Sequence, residues 1–170
     1  IEEQLKKDGL TQFVHKTIRY VPRHRNRGGM REVETPSVSG LIFLQGDSET
    51  LQDYLNKNVN SYKLCKNCST GKVATIPCNQ METFMRVAET EPERLRFLLR
   101  PFVYYSKNRT LLRIVTGEYA GLEGYVIRIA RDRKLVMDVG GMAVALSGVH
   151  AERFEEVNKN EADKKERQLF

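Results

Sequence analysis

Residues 113–137 read RIVTGEYAGLEGYVIRIARDRKLVM, and this stretch decides the fold of the C-terminal part of the chain. The first, third and fifth residues of YVIRI (125–129) and of LVMDV (135–139) are apolar, and this period of two predicts strands with one buried face. Turn residues separate further short apolar runs on both sides. The predicted strands cover residues 111–115, 124–130, 134–139, 142–146 and 153–157. Five short strands in about 50 residues favour a small β-barrel.

The first 90 residues contain helical patterns together with strand patterns that are joined as hairpins, which predicts an α+β fold there. Strands are expected at 10–21, which leads into the turn at Gly28 and Gly29, and at 38–44, whose sequence is VSGLIFL. A further hairpin is expected between residues 62–64 and 72–76. Helices are expected at 1–8, from residue 47 or 48, and after Asn79, which together with Glu82 resembles a capping box.

The remaining segments connect or extend these two parts. Residues 91–108 have no sustained period, and Pro92 and Pro101 interrupt them, so they are interpreted as a connector with one short helix. Residues 158–170 are charged and predict a frayed or helical tail. The expected domains are therefore 1–90, a connector at 91–108, a barrel at 109–157 and a tail at 158–170.

The positive charge of the chain is concentrated in its first part. The 170 residues include 28 Lys and Arg and 22 Asp and Glu, a net charge of +6. Residues 1–108 contribute +5, residues 109–157 contribute 0 and the tail contributes +1. A predicted hairpin within 15–31 contains six basic residues and no acid: Lys16, Arg19, Arg23, Arg25, Arg27 and Arg31. A basic hairpin favours a polyanionic partner, although charge runs are also common in solvated loops.

Several classes of protein are disfavoured by composition. No stretch approaches the roughly 18 apolar residues of a membrane-spanning helix, so we expect no membrane association. The odd number of cysteines, three, favours a reducing compartment, the cytoplasm. Cys65 and Cys68 form a C-x-x-C, but no histidine or second pair stands at ligand spacing, so we expect no metal. No nucleophile, acid–base pair or phosphate loop is recognisable, so we expect neither an enzyme nor a cofactor.

The quoted stretch resembles a KOW motif, the element at the start of small SH3-like barrels in transcription and ribosomal proteins. The resemblance rests on Arg113, Gly117, Ala120, Gly121 and Gly124 alternating with apolar residues. Upstream, the order helix, strand, basic hairpin, VSGLIFL strand, helix, hairpin and helix resembles the NGN domain. Together the two halves are similar to the NusG family of transcription elongation factors, and most similar to its specialised antitermination paralogues of the UpxY and RfaH type.

The resemblance implies a mechanical function rather than a catalytic one. In the family, an apolar depression of the NGN domain grips the clamp of RNA polymerase, and this contact suppresses pausing or termination. By position, Val38, Leu41 and Phe43 would contribute to the depression here. Val38 and Leu41 replace aromatic residues of the family pattern, and Ser39 replaces its proline, so a shallower and more aliphatic patch is implied. The alternative for this run is an ordinary core strand.

The resemblance also implies contacts for the other parts. The basic hairpin would bind upstream or non-template DNA, and the KOW barrel would bind a ribosomal protein or another factor. The family has a bulky apolar residue at the tip where Gly140 stands. A strand precedes the first helix in the family, and because the sequence begins within helical residues at Ile1, we expect that this strand is missing.

Two other functional classes stay open at this point. One is a KOW-containing RNA-binding or ribosome-associated protein, which would need a basic barrel, whereas residues 109–157 sum to zero. The other is an enzyme of unrecognised type, which a cleft with converging titratable groups would support.

Overall fold

The structure is a computed structural model in which residues 1–23, 28–68 and 70–157 are described. Its helices are α1 Glu2–Lys7, α2 Ser48–Asn58, α3 Cys78–Thr90 and α4 Phe102–Ser106, with short 3-10 helices at Pro92–Arg94 and Val149–Ala151. Its strands are β1 Gln12–Phe13, β2 Lys16–Pro22, β3 Met30–Pro36, β4 Phe43–Leu44, β5 Leu95–Pro101, β6 Leu112–Ile114, β7 Glu123–Ile129, β8 Asp132–Val139, β9 Met142–Leu146 and β10 Phe154–Glu156. The fold is α+β with antiparallel sheets, as expected.

A six-stranded antiparallel sheet forms the C-terminal part, in the order β10-β6-β7-β8-β9-β5. The five strands predicted there are all present, with slightly different ends. The predicted five-stranded barrel is not closed: among the described residues no ladder joins β10 to β9 or to β5, so the sheet is open. The sixth strand, β5, lies in the predicted connector and pairs with β9. The short helix expected in that connector is α4.

Both faces of this sheet are covered, and the predicted alternation is confirmed on each. Leu135, Met137 and Val139 lie on one face in a buried cluster that also contains Phe84 and Val87 of α3. The opposite face carries a second cluster, which contains Ile127, Val136, Ala143 and Ala145 and packs against Tyr125, Ile129, Phe102 and Tyr105. A fully buried Leu or Val side chain contributes about 1.5–3 kcal/mol to stability. Packing of α3 on one face and of α4 on the other therefore stabilises the central strands from both sides.

An aromatic cluster joins the first part of the chain to this sheet. The ring of Phe84 lies 6.1 Å from Phe13, 5.9 Å from Phe43 and 6.3 Å from Phe97, centroid to centroid. His15 is buried beside Phe84 and Phe97. Since Phe13 and Phe43 belong to the β1–β4 pair and Phe97 belongs to β5, one apolar core spans both predicted domains.

The strand predicted over 38–44 is mostly wrong. Only Phe43 and Leu44 are extended, and they pair with β1. The preceding residues form a turn in which the Leu41 N–H donates to the Val38 carbonyl at 3.3 Å and Gly40 has φ +77°. Glycine adopts that left-handed conformation without the steric cost that a side chain would add.

The other N-terminal expectations are confirmed in part. Helix α2 begins after Asp47, whose carboxylate accepts the N–H groups of Glu49 and Thr50 at 3.0 Å, which is an ordinary N-cap. The capping box at Asn79 is wrong, because α3 already begins at Cys78 and no side chain caps it. The hairpin expected across residues 62–76 is reduced to a single bridge between Lys66 and Val73.

Candidate nucleic-acid interface

The β2–β3 hairpin separates most of its basic side chains onto one face. Seven consecutive pairs align the strands, from Lys16 opposite Pro36 to Pro22 opposite Met30, without a bulge. Successive side chains of a strand point to opposite faces. Arg19 therefore shares a face with Arg31, which stands opposite Val21. Arg23 directly follows β2, and its N–H donates to the Gly29 carbonyl at 3.0 Å, so the pairing continues by one residue and places Arg23 on the same face. This set, Arg19, Arg23 and Arg31, is called the arginine face below.

The arginine face has a geometry that suits a phosphate backbone. Arg19 and Arg31 occupy diagonal positions, which lie about 7–8 Å apart in an antiparallel pair. Arg19 and Arg23 are separated by about 13 Å along the strand, which is close to the rise of four nucleotides in one DNA strand. All three residues are exposed. Within the described part of the chain, no carboxylate pairs with any of them.

One residue of the predicted basic set is placed differently, and two are not described. Lys16 lies on the opposite face of the hairpin, where its ammonium is 3.0 Å from a carboxylate oxygen of Glu2. Arg25 and Arg27 lie outside the described residues. The structure thus brings together three of the six predicted side chains and turns one away.

The opposite face of the hairpin is apolar and acidic. Ile18, Tyr20 and Met30 are 41, 62 and 59% exposed there. The Tyr20 hydroxyl bonds to Glu32, and this hydrogen bond is the main cause that raises the pKa of the phenol. A phosphate backbone would meet apolar side chains and carboxylates on this face, so only the arginine face suits a polyanion.

The residues expected at the polymerase contact do not form one strand face. Val38 and Leu41 lie in the turn before β4 and are half-buried. Phe43 packs its ring 6.2 Å from Phe13 and 5.9 Å from Phe84, within the aromatic cluster. All three side chains are half-buried, and Phe43 has the core contacts of the alternative interpretation.

The residues that carry the KOW resemblance hold the sheet together. A Cβ added to Gly124 would lie 2.8 Å from the carbonyl carbon of Val136 and closer still to its oxygen. This close approach of β7 and β8 is why no side chain fits. Arg113 binds carboxylate oxygens of Glu123 at 2.8 Å and of Glu155 at 3.0 Å, which ties β6 to both of its neighbours.

The loop between β6 and β7 depends on the two other glycines of the motif. Gly117 has φ +70°, and a Cβ there would lie 2.6 Å from a carboxylate oxygen of Glu152. Gly121 has φ +94°, and its N–H donates to the Ile114 carbonyl at 2.9 Å. The conformation of this loop therefore explains why both positions are occupied by glycine.

The hairpin tip between β8 and β9 faces the first part of the chain. Gly140 and Gly141 have φ +65° and +87°, as a type I′ turn requires. A Cβ at Gly140 would lie 3.4 Å from Ala74 and 3.5 Å from Ile76. A bulky residue at this tip would have to displace these side chains.

Two features were missed by the sequence interpretation. His15 was grouped with the basic hairpin, but its ring is buried, and Nδ1 lies 2.5 Å from the Ser37 hydroxyl. Burial lowers the pKa of this imidazole, so it adds no charge to the hairpin near neutral pH. The second feature is the exposed surface of β5 and α4, including Leu99 and Tyr104. Its signal in the sequence is residues 94–117, which contain six Lys and Arg and no acid.

The three cysteines, Cys65, Cys68 and Cys78, are free and exposed. Over residues 1–23, 28–68 and 70–157, no group of three or more His, Cys, Asp or Glu side chains is placed to hold a metal ion. In the same residues, no helix combines the length and the apolar character needed to cross a membrane. A comparison with protein-family models found no match, and comparisons with curated proteins and with solved structures found none either.

Proposed function

We propose that the chain is a transcription elongation or antitermination factor of the NusG type, which binds RNA polymerase and suppresses pausing or termination. The observation that carries the proposal is the arginine face of the β2–β3 hairpin. It presents Arg19, Arg23 and Arg31 in one exposed row, at a spacing that suits the backbone of upstream or non-template DNA.

The strand order of the large sheet supports the second half of the proposal. Strands β6, β7, β8 and β9 follow one another as a meander, and β10 returns beside β6. A 3-10 helix at Val149–Ala151 leads into that last strand. This is the order that a KOW-type, SH3-like unit over residues 109–157 requires. In this assignment, residues 1–90 are the NGN-like part and residues 91–108 connect the two.

The polymerase contact is assigned to the turn before β4. Val38 and Leu41 are half-buried apolar side chains of this turn, while the half-buried Phe43 packs its ring against Phe84 of the core. The partner of the large sheet would be a ribosomal protein or another factor, and transcription places the protein in the cytoplasm.

The DNA contact is tested by the salt dependence of binding to reconstituted elongation complexes. Each phosphate contact contributes about 0.9 to the slope of log K against log salt concentration. The triple variant Arg19→Gln, Arg23→Gln, Arg31→Gln should lower this slope by up to about 2.7. Lys16→Gln removes one charge from the other face and is the matched control, which should leave the slope unchanged. An unchanged slope in the triple variant would refute the DNA contact.

The polymerase contact is tested on the same full-length chain. Val38→Asp with Leu41→Asp should abolish co-purification with RNA polymerase and the read-through of a pause site, because charged groups replace the apolar contact. Circular dichroism establishes that the variant is folded. Normal read-through by a folded double variant would exclude this patch.

A further inference from the structure

The segment from β5 to α4, residues 95–106, has an unusual outer surface and is called the β5–α4 arm. Leu99 is fully exposed, Val103 is 43% exposed and Tyr104 is 48% exposed. Single exposed apolar residues are common on proteins, but three within six positions form a patch. The patch belongs to no part of the function proposed above.

The arm is held in place by its inner side chains. Phe102 and Tyr105 pack against the sheet face that contains Ile127 and Val136, and the Phe102 ring lies 5.3 Å from that of Tyr125. The Phe102 N–H also donates to the Gly141 carbonyl at 3.2 Å. Because these contacts fix α4, Tyr104 stands on a rigid support instead of a loose loop.

The exposed apolar groups of the arm are accompanied by cations. The Arg100 guanidinium lies 4.2 Å from the centre of the Tyr104 ring, and Arg96 is exposed on β5. Arg109 donates to the Tyr105 carbonyl at the end of α4 at 2.6 Å. Over residues 94–117 the chain has six Lys and Arg and no Asp or Glu. Arg94 and Arg113 in this stretch pair with Glu91 and with Glu123 and Glu155, so the cations without a carboxylate partner among the described residues are Arg96, Arg100, Lys107 and Arg109. An aromatic ring beside several such cations is the combination that binds single-stranded nucleic acids.

The edge of β5 is a poor site for an added protein strand. Its pairing with β9 shifts register between Phe97 and Pro101, which marks a bulge or irregularity. Proline removes a backbone donor, and charged side chains such as Arg96 and Arg100 discourage pairing with another chain. These features favour a nucleic acid over a β-strand as the occupant.

Inclusion of the arm changes the charge of the unit to which it belongs. Residues 109–157 contain seven Lys and Arg and seven Asp and Glu, whereas residues 95–157 contain ten and seven, a net charge of +3. The neutral sum that argued against an RNA-binding unit therefore does not apply once β5 and α4 are counted with their sheet.

We propose that the β5–α4 arm is a binding site for single-stranded nucleic acid. A base stacks on Tyr104 beside Leu99, and Arg96, Arg100 and Lys107 neutralise the adjoining phosphates. This site goes beyond the proposed function, since it uses neither the arginine face nor the patch at Val38.

The test uses the full chain and fluorescence anisotropy with labelled 20-nucleotide oligouridylate, oligothymidylate and a 20-base-pair DNA duplex. All arm variants are made in the background Arg19→Gln, Arg23→Gln, Arg31→Gln, so that the arginine face contributes nothing. Tyr104→Ala should weaken binding of the single strands by about 5- to 150-fold, as expected for the loss of one stacked base. Tyr104→Phe keeps the ring and should bind within about threefold of its parent.

Tyr20→Ala is the matched control, because it removes a tyrosine that is at least as exposed, 62% against 48%, from another surface and should leave binding unchanged. Tighter binding of oligouridylate would identify RNA as the ligand, and equal binding of both oligomers would identify a site for any single strand. The proposal is overturned if neither oligomer binds at 50 mM salt, if Tyr104→Ala matches Tyr104→Phe, or if the duplex binds as tightly as the single strands. None of these results depends on polymerase, so the function proposed above stands or fails separately.

Discussion

The replacement Gly124→Ala tests the physical reason for the glycine that is most characteristic of the KOW resemblance. The new Cβ would lie 2.8 Å from the Val136 carbonyl carbon and 3.1 Å from Leu135 Cγ. Real Cβ atoms do not approach backbone atoms so closely, and the Val136 carbonyl is fixed within the β7–β8 ladder. Either β7 and β8 separate locally or the ladder loses a hydrogen bond.

The expected cost combines two effects. Overpacking of a close-packed interior costs about 1–3 kcal/mol. A lost backbone hydrogen bond adds about 1 kcal/mol. The free energy of unfolding should therefore fall by roughly 2–4 kcal/mol, which corresponds to a melting temperature about 4–16 °C lower for a chain of this length. Urea denaturation followed by circular dichroism measures the first quantity, and a thermal scan measures the second.

Gly121→Ala is the matched control for this experiment. Gly121 has φ +94°, but a Cβ there would meet no atom within 4 Å. Its cost is conformational only, about 1–2 kcal/mol. If Gly124→Ala proves no more destabilising than Gly121→Ala, close strand approach is not what requires glycine at position 124, and the structural reason given for that part of the motif is refuted.

Three further predictions concern other contacts. Because burial holds the pKa of His15 below the unfolded value of 6.5, the unfolded chain binds more protons as the pH falls below 6.5, and the free energy of unfolding should decrease. His15→Phe should reduce this decrease between pH 7 and 5, as measured by urea titrations at each pH, and an unchanged dependence on pH would contradict it. Arg113→Met should cost about 1.5–3 kcal/mol, because Glu123 loses a charged hydrogen-bond donor, and a smaller loss in denaturation would argue against that pair. Phe43→Asp should cost at least about 3 kcal/mol, since a carboxylate would face the Phe84 ring; a variant of normal stability would place Phe43 at the surface.

The sequence predicted the central strands well because their signal is local. Strands β7 and β8 alternate apolar and polar residues and are bounded by turns, so both their existence and their inward faces followed from the period. Strand β5 was missed for a physical reason. Leu95 and Phe97 contact one core cluster and Leu98 contacts the other, so apolar residues occur on both faces and the alternation is lost.

At residues 38–44 the error is the reverse, because a strand is predicted where most of the residues form a turn. VSGLIFL is rich in strand-forming residues, but Gly40 takes a positive φ and allows the chain to turn before β4. Propensity alone does not reveal that turn, since it depends on where β1 lies to receive Phe43 and Leu44. The predicted polymerase patch was therefore divided between a turn and the core.

Whether a basic residue of the hairpin has an odd or an even number already indicates which face of its strand it occupies. Arg19, Arg23 and Arg31 have odd numbers and Lys16 an even one, and within one strand this already separates the faces. Across strands, the parity has meaning only when the register is known, because a slip of one residue would move Arg31 to the other face. The structure supplies the register, with Arg31 opposite Val21.

The position of β5 determines how the proposed functions can be separated by experiment. A division of the chain after residue 108 would assign β5 to the N-terminal piece and its partner β9 to the C-terminal piece. Phe84 and Leu135, which share one core cluster, would also be separated. Each fragment would expose apolar surface that is buried in the intact chain, and such surface binds other proteins non-specifically. Loss or gain of polymerase binding by these fragments would therefore report on broken packing, whereas point variants on the arginine face, at Val38 and Leu41, and at Tyr104 address each surface with the core intact.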